Sequence, residues 1–151
     1  MDEKMDETMI QKALEIAILA HEGQRDKAGK PYLLHPIIVA TEMLTDDEII
    51  VALLHDVIED SDYTIEDLEG AGFSAPVIEA VQLLTHKQGV SYDEYIEGIS
   101  KNKLATKVKM ADLTHNADLS RLPAVTEQDL NRQKKYKKAF DFLLSVNFCY
   151  Q

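Results

Sequence analysis

The feature of this sequence that most clearly indicates chemistry is a histidine–aspartate pair, His55-Asp56, within its most hydrophobic predicted helix, residues 49–58. An imidazole and a carboxylate are costly to bury in apolar surroundings unless a partner compensates them. A divalent cation does so, because it turns both groups into ligands. Glu59 and Asp60 follow Asp56 at the i+3 and i+4 positions, on the same predicted helix face. The cluster therefore indicates a metal site, with a hydrated acidic helix end as the alternative interpretation.

Two more residues, each on a predicted helix or at a helix start, extend this pattern. His35 precedes His55 by 20 residues, and Asp112 follows Asp56 by 56 residues. Taken alone, His35 is interpreted as a helix-capping residue and Asp112 as an exposed acid. Two other histidines also have ordinary interpretations, His115 as a core or interface residue and His86 as a surface residue. It is the ordered set of His, His-Asp and Asp that favours a metal site.

The elements that must position these residues are predicted to be helical almost throughout, because apolar residues recur at three- and four-residue steps. The first three predicted helices run from Thr8 to Gly23, from Pro36 onward, and from a cap at Asp46 or Asp47 to near Ile58. Two more begin at sequences that resemble capping boxes, at 64–67 and at 91–94, and the second resembles a capping box more closely. The other three are one that Ser74 opens, one from Lys103 to Asn116, and one that is capped by Thr126 and ends near Phe148. No segment shows the alternation typical of a strand. We predict an all-α protein, a single compact bundle of about seven or eight helices spanning residues 1–151 as one domain.

Length, composition and charge exclude several classes of protein. A chain of 151 residues with 45% hydrophobic and 28% charged residues is typical of one folded domain. The single cysteine, Cys149, excludes an intramolecular disulfide. The net charge of −11 argues against binding to nucleic acid or to an anionic membrane, since both need a basic field. Without a signal-like or membrane-spanning apolar run, the sequence predicts a cytoplasmic protein.

Five segments around these residues resemble one family of enzymes. They read AHEGQ at 20–24, GKPYLLHP at 29–36, ALLHDVIED at 52–60, LT at 84–85 and KMADLTHN at 109–116. The set is similar to the ligand signature of the HD-domain metal-dependent phosphohydrolases, which are all-α. The closer resemblance is to the hydrolase domain of the RelA/SpoT alarmone enzymes and their small stand-alone relatives. The motif-bearing core of this HD-type domain is predicted at about residues 21–118.

The resemblance implies a role for each motif residue. The metal ligands would be His35, His55, Asp56 and Asp112. Two imidazole nitrogens and two carboxylate oxygens suit Mn²⁺, with Fe²⁺ or Zn²⁺ as alternatives. The catalytic acids that orient or deprotonate the attacking water would be Glu59 and Asp60. The substrate-binding residues would be Arg25, Lys27, Tyr32, Asn116 and His21.

The implied activity is removal of the 3′-pyrophosphate from guanosine-3′,5′-bis(diphosphate), (p)ppGpp, by a metal-activated water, with a small-molecule nucleotide as the partner. Asp26, Leu113 and Asp118 stand where the family usually has arginine, which lowers the positive charge available for a polyphosphate. Two alternatives therefore stay open. One is an HD phosphohydrolase of another phosphorylated nucleotide, such as the 2′-phosphate of NADPH, and the other is a non-catalytic, metal-stabilised binding module.

The lysine-rich run at residues 134–138 is the one feature that invites a nucleic-acid interpretation. On a helix these lysines spread around the axis, so we interpret the run as a solvated face. The alternatives are an edge of the substrate pocket or the interface of a homodimer.

Overall fold

The computed structural model describes residues 2–148, and within them the side chains of residues 8–147, so Cys149 lies outside the described residues. This part of the chain forms nine helices: α1 (Asp2–Ala20), α2 (Leu34–Thr41), α3 (Asp46–Leu54), α4 (Val57–Asp60), α5 (Ile65–Gly70), α6 (Ala75–Leu84), α7 (Tyr92–Ser100), α8 (Lys103–Ala117) and α9 (Glu127–Phe148). Its strand-like structure is limited to an isolated antiparallel bridge between Arg25 and Pro31. The predicted all-α fold is confirmed.

Among residues 2–148, no helix combines the length and the apolar composition that crossing a bilayer requires.

Helix α3 lies at the centre of the core and packs against α1, α2, α6 and α8. Its residues 50–54 are all buried. A capping box holds its N-terminus, since the Glu48 N–H donates to Thr45 Oγ1 and the Thr45 N–H donates to Glu48 Oε1, both at 3.2 Å. The predicted cap at Asp46 or Asp47 is therefore wrong by one or two residues. Those two acids instead occupy the first turn, where the helix dipole favours negative charge.

The helix predicted to continue to Ile58 is interrupted at the histidine–aspartate pair. Helix α3 ends at Leu54, and the one-turn helix α4 starts at Val57. Between them Asp56 has φ −105° and ψ −2°, in the bridge region where active-site residues are often found. This break splits one predicted helix into two, which is why the observed helices outnumber the seven or eight predicted.

Other helix ends differ from prediction by small amounts. Thr8 lies inside α1, which begins at Asp2, so the predicted N-cap is wrong. Gly23 follows the end of α1 with a φ of +78°, as a terminating glycine should. Helix α2 begins two residues before Pro36.

The capping signals of the later helices mark their starts correctly. Ser74 and Thr126 directly precede α6 and α9, as predicted. Of the two predicted capping boxes, however, the one at 64–67 is the more complete, although the one at 91–94 was predicted to match more closely. Both reciprocal bonds are present between Thr64 and Asp67, whereas Ser91 accepts a hydrogen bond from the backbone of Glu94 at 3.1 Å.

The first prediction concerns the capping box of α3. We expect Thr45→Ala to lower the free energy of unfolding by about 1 kcal/mol, because it removes an N-cap acceptor. Urea denaturation measures the change. The matched control is Thr114→Ala, since that exposed hydroxyl donates only to Met110 O within its own helix and its loss should be nearly neutral. Equal losses in the two variants would contradict the role assigned to Thr45.

Candidate metal centre and adjoining pocket

Four side chains that are distant in the chain converge on one point between α2, α3 and α8. His35 lies on α2, His55 and Asp56 follow α3, and Asp112 lies on α8. Each contributes one nitrogen or carboxylate oxygen, and these four atoms all lie within 4.8 Å of one another. The three helices pack against one another, so the packing of the core sets the distances within the cluster.

The individual distances show how tightly these atoms are grouped. His35 Nε2 lies 2.7 Å from Asp112 Oδ1, and His55 Nε2 lies 3.2 Å from the same oxygen. His55 Nε2 also lies 3.1 Å from Asp56 Oδ2. Both histidines and Asp112 are buried, whereas Asp56 is partly accessible. One side of the cluster is therefore closed and the other is open to a small ligand.

The orientation of His55 tests whether these residues fit a metal ion. His55 Nδ1 lies 2.5 Å from Ala52 O, and a carbonyl oxygen can only accept, so Nδ1 carries the proton. Nε2 then faces two carboxylate oxygens that carry lone pairs, so either a second ring proton or a cation must lie between them. A cation between them makes all three contacts favourable, and a set of two nitrogens and two oxygens suits a divalent transition metal. The four residues fit a divalent metal.

The pKa shifts in the cluster have the same electrostatic origin. Burial lowers the pKa of His55, but the carboxylates of Asp56 and Asp112 outweigh burial and raise it well above its usual range. Burial raises the pKa of Asp112, but Lys109 and the two imidazoles outweigh it and hold that pKa well below its usual range. The paired charges thus keep the carboxylates ionised, which is the state that ligates a cation.

Four neighbouring side chains fix the orientation of the cluster residues. Their hydrogen bonds are Tyr32 Oη to Asp56 Oδ2 at 2.5 Å, Lys109 Nζ to Asp112 Oδ2 at 2.9 Å, Asn116 Nδ2 to Asp112 Oδ1 at 3.1 Å, and His35 Nδ1 with His115 Nδ1 at 2.6 Å. His115 also stacks on His35, with ring centroids 4.9 Å apart. The default interpretation of His115 as a core or interface residue misses this contact. Its spacing of three residues from Asp112 is the signal that could have found it.

The two acids at the end of α4 differ in their surroundings. The Glu59 carboxylate accepts a hydrogen bond from the His86 backbone N–H. Burial, with the charges of Asp56 and Glu59, raises the pKa of Asp60 to about 6. The carbonyl oxygen of Asp60 accepts from Gln24 Nε2 at 2.7 Å.

His21 lies next to Gln24 and Tyr32. It is buried, and its Nδ1 lies 2.8 Å from Gln24 Oε1. Its ring centroid lies 5.0 Å from that of Tyr32. His21 is not among the residues that line the adjoining pocket. The contact with Gln24 instead connects it to the backbone of Asp60.

A pocket of about 340 Å³ adjoins the cluster. Tyr32 and Asn116 connect the pocket to the cluster, since each lines the pocket and also donates a hydrogen bond to a cluster carboxylate. The pocket is lined by four cations and three acids, namely Arg25, Lys27, Arg121 and Arg132 with Asp26, Asp118 and Asp129. The excess of one positive charge contrasts with the net charge of −11 for the whole chain. The pocket is therefore the place where an anionic ligand can approach the cluster.

Two of these cations, Arg121 and Arg132, are not among the residues predicted from the sequence. Arg121 Nη1 lies 3.4 Å from Asp26 Oδ2, which ties the segment before α9 to the loop that carries Arg25 and Lys27. Lys27 Nζ and Arg132 Nη2 lie 3.6 Å and 3.9 Å from Asp129 Oδ1. Because both arginines stand outside the recognised motifs, spacing alone gives no signal for them.

The three positions that depart from the family pattern lie in different places. Leu113 is buried in the core, whereas Asp26 and Asp118 line the pocket. The lysines of the run at 134–138 are exposed, and Lys135 Nζ lies 4.0 Å from the ring centroid of Tyr92.

Comparison with known proteins decides the family. A family model described as "HD domain" matches residues 13–118, a range that contains all four cluster residues. The chain belongs to the HD-domain family.

This HD domain is similar to parts of longer curated proteins. It is 32% identical over 147 residues to a GTP pyrophosphokinase of Streptomyces coelicolor, covering 89% of this chain and 16% of that protein. It is 36% identical over 121 residues to the bifunctional (p)ppGpp synthase/hydrolase SpoT of Escherichia coli K12, covering 71% of this chain and 17% of that protein. The chain therefore spans about a sixth of the length of these curated relatives.

A solved structure of similar size matches nearly the whole HD domain. It is described as a metazoan ortholog of SpoT that hydrolyzes ppGpp and plays a role in starvation responses. The TM-score is 0.75 at 26% identity, and the match covers 93% of this chain and 90% of the other. The predicted resemblance to RelA/SpoT-type hydrolases is confirmed.

The second prediction tests metal binding at the cluster. At a Mn²⁺ concentration about 100-fold above its Kd, ligand linkage should stabilise the fold by about 2.7 kcal/mol. For a chain of this size that is a rise in Tm of roughly 5–10 °C. Asp112→Asn should remove this rise, because it neutralises a ligand, and Asp141→Asn on the exposed side of α9 should retain it. Scanning calorimetry measures each increment relative to the same variant without metal. A full Mn²⁺ response in Asp112→Asn would contradict the site.

Proposed function

We propose that this HD domain is a Mn²⁺-dependent (p)ppGpp 3′-pyrophosphohydrolase, with all of residues 1–151 acting as one unit. The observation that carries the proposal is the placement of four metal-ligating atoms within 4.8 Å of one another beside a pocket with an excess of positive charge. A 3′-pyrophosphate is anionic and must reach a Lewis acid to be hydrolysed, and this arrangement offers both features. The SpoT relative of Escherichia coli is named a bifunctional (p)ppGpp synthase/hydrolase, and the metazoan protein of the matching structure hydrolyzes ppGpp.

The four cluster residues are proposed as the ligands of the divalent metal. When bound, such an ion lowers the pKa of a water molecule and withdraws charge from a phosphoryl oxygen. His35 and His55 supply nitrogens, and Asp56 and Asp112 supply oxygens. Mn²⁺ is the proposed ion because a mixed set of imidazoles and carboxylates suits it, and Fe²⁺ and Zn²⁺ remain the alternatives.

Asp60 and Glu59 are proposed to take the proton of the attacking water. The water oxygen bonds to the phosphorus next to the 3′-oxygen, and the bond between that phosphorus and the 3′-oxygen breaks. The 3′-oxygen takes up the proton that the acids removed from the water, and the pyrophosphate leaves with the water's oxygen and its second proton. A general base works best when its pKa is near the working pH. Asp60, whose pKa is raised to about 6, fits this requirement, and Glu59 is held beside it by the His86 N–H.

The substrate is proposed to lie in the pocket, with its guanosine side against Tyr32 and Asn116 and its phosphates against Arg25, Lys27, Arg121 and Arg132. His21 is proposed to act through Gln24, which donates to the carbonyl oxygen of Asp60. The cytoplasmic location predicted from the sequence stays a prediction, and a homodimer stays an alternative.

A second candidate substrate is favoured by one observation. Asp118 lines the pocket at a position where the family usually has arginine, so the pocket offers less positive charge than the family pattern implies. That change favours a nucleotide with fewer phosphate charges near Asp118, such as one with a single 2′- or 3′-phosphate.

The third prediction tests the reaction. Purified protein with Mn²⁺ should release pyrophosphate from (p)ppGpp, and Asp56→Ala should abolish release, because it removes both a ligand and the acceptor of the Tyr32 hydroxyl. Asp141→Ala is the matched control and should keep full activity. Release of orthophosphate from a nucleotide monophosphate, with (p)ppGpp untouched, would replace the main proposal by the second candidate. Metal binding without turnover of any nucleotide would favour a non-catalytic module.

The fourth prediction tests Arg132, one of the two pocket arginines that were not predicted from the sequence. Arg132→Gln should raise the KM for (p)ppGpp by roughly tenfold or more, since a hydrogen bond to a charged group contributes about 1.5–3 kcal/mol. The value of kcat should change less, because Arg132 is paired with Asp129 rather than with a cluster residue. Lys134→Gln on the exposed face of α9 is the control of equal charge change. Steady-state kinetics at fixed ionic strength measures both, and an equal KM in the two variants would contradict the assignment.

A further inference from the structure

We infer that His86 is a positioning residue for the reaction: its side chain holds its own backbone N–H in place, and that N–H holds the Glu59 carboxylate. The inference rests on the proposed function, because it takes Glu59 as one of the two acids at the water. His86 is the histidine that the sequence assigns to the surface, and in the structure it is half-buried.

The contact at the centre of this inference joins two separate elements. The His86 N–H lies in the loop between α6 and α7, and it donates to Glu59 Oε1 at the end of α4. An exposed glutamate side chain is otherwise free to sample several rotamers. A hydrogen bond from a backbone N–H to a carboxylate is charge-assisted and directional, so it selects one of them. The Glu59 carboxylate is thus held by a loop that is 27 residues away in the chain.

The imidazole of His86 fixes this loop at two points. Its Nε2 lies 2.6 Å from Val90 O, and because a carbonyl only accepts, Nε2 is the donor. The ring also stacks on Tyr95, with centroids 4.5 Å apart and planes 12° from parallel. The first bond closes the loop across residues 86–90, and the second contact fixes the loop against α7.

Tyr95 is itself held firmly. It is buried, and its hydroxyl donates to Leu84 O at 2.7 Å, at the last residue of α6. Lys109 Nζ lies 5.1 Å from the centroid of the Tyr95 ring and 2.9 Å from Asp112 Oδ2. One aromatic ring therefore contacts both the residue that holds Glu59 and the residue that holds the ligand Asp112. Through Tyr95, the position of the Glu59 carboxylate is therefore coupled to the position of Asp112 in the cluster.

The arrangement predicts a specific kinetic effect. His86 does not line the cationic pocket, and it is not one of the four cluster residues. Loss of its ring should therefore leave substrate binding and metal binding intact while the Glu59 carboxylate loses its orientation. Misplacing a reacting group by about 1 Å can cost about 100-fold in rate.

The experiment uses the whole chain with Mn²⁺ and (p)ppGpp. His86→Ala should lower kcat by about tenfold to 100-fold, with KM and the calorimetric Mn²⁺ affinity within twofold of wild type. His86→Phe keeps an aromatic ring over Tyr95 and should recover part of the loss. Lys87→Ala, at the next and exposed position of the same loop, should match wild type. A loss that appears mainly in KM or in metal affinity would overturn the inference.

A double-mutant cycle separates positioning from general damage to the fold. If His86 acts through Glu59, His86→Ala should cost little further kcat in a Glu59→Gln background. In ¹H–¹⁵N spectra, Glu59→Gln should also move the His86 amide proton upfield, because the charge-assisted hydrogen bond weakens. If the enzyme is active but the two losses in kcat are additive, or the His86 amide signal does not move, the role of His86 is overturned and the proposed function is not. A wild-type protein that hydrolyses no nucleotide would instead overturn the proposed function, and the catalytic role of His86 with it.

Discussion

A buried carboxylate is the constraint on which the arrangement of this protein depends. Asp112 is almost fully buried on α8, and a lone carboxylate there would be strongly disfavoured. Its two oxygens instead contact Lys109 and Asn116 from its own helix and His35 and His55 from two other elements. Satisfying this one group therefore requires α2, α3 and α8 to pack together in one way. Removing Lys109, which donates to Oδ2, would take away the cation that balances this carboxylate in the core.

The same constraint separates the site into a closed and an open part. The histidines and Asp112 are shielded by core helices, whereas Asp56, Glu59 and Asp60 lie where α3 has ended and the chain turns outward. Had α3 continued to Ile58 as one helix, the positions of Glu59 and Asp60 would be fixed by the direction of α3 and by the helices packed against it. The break after Leu54 frees the one-turn α4 to be held by its own contacts, from Gln24 on one side and His86 on the other. Helix packing thus determines the positions of the four cluster residues, and contacts from the loops that carry Gln24 and His86 determine the positions of the two acids.

This division explains what could be predicted from the sequence. The helical periodicity and the capping residues predict the all-α fold, because both depend on local spacing. His55 and Asp56 could be singled out because polar residues within an apolar helix need a partner. The resemblance to the HD-domain family added His35 and Asp112, and the structure brings the four together. The break at Asp56 could not be predicted, since the apolar pattern continues through it. Arg121, Arg132 and His86 were missed because their contacts come from loops and helix ends that meet only in the folded chain.

The three departures from the family pattern differ in how they affect the charge of the pocket. Leu113 is buried in the core and is not among the residues that line the pocket. Asp118 does line the pocket, and it sets one negative charge against the cations there. Arg121 and Arg132 line the same pocket from the segment before α9 and from α9 itself, and they restore positive charge from a different side. Because a phosphate group is recognised by where the positive charge lies as well as by how much there is, this shift bears on the orientation of the nucleotide more than on whether one binds.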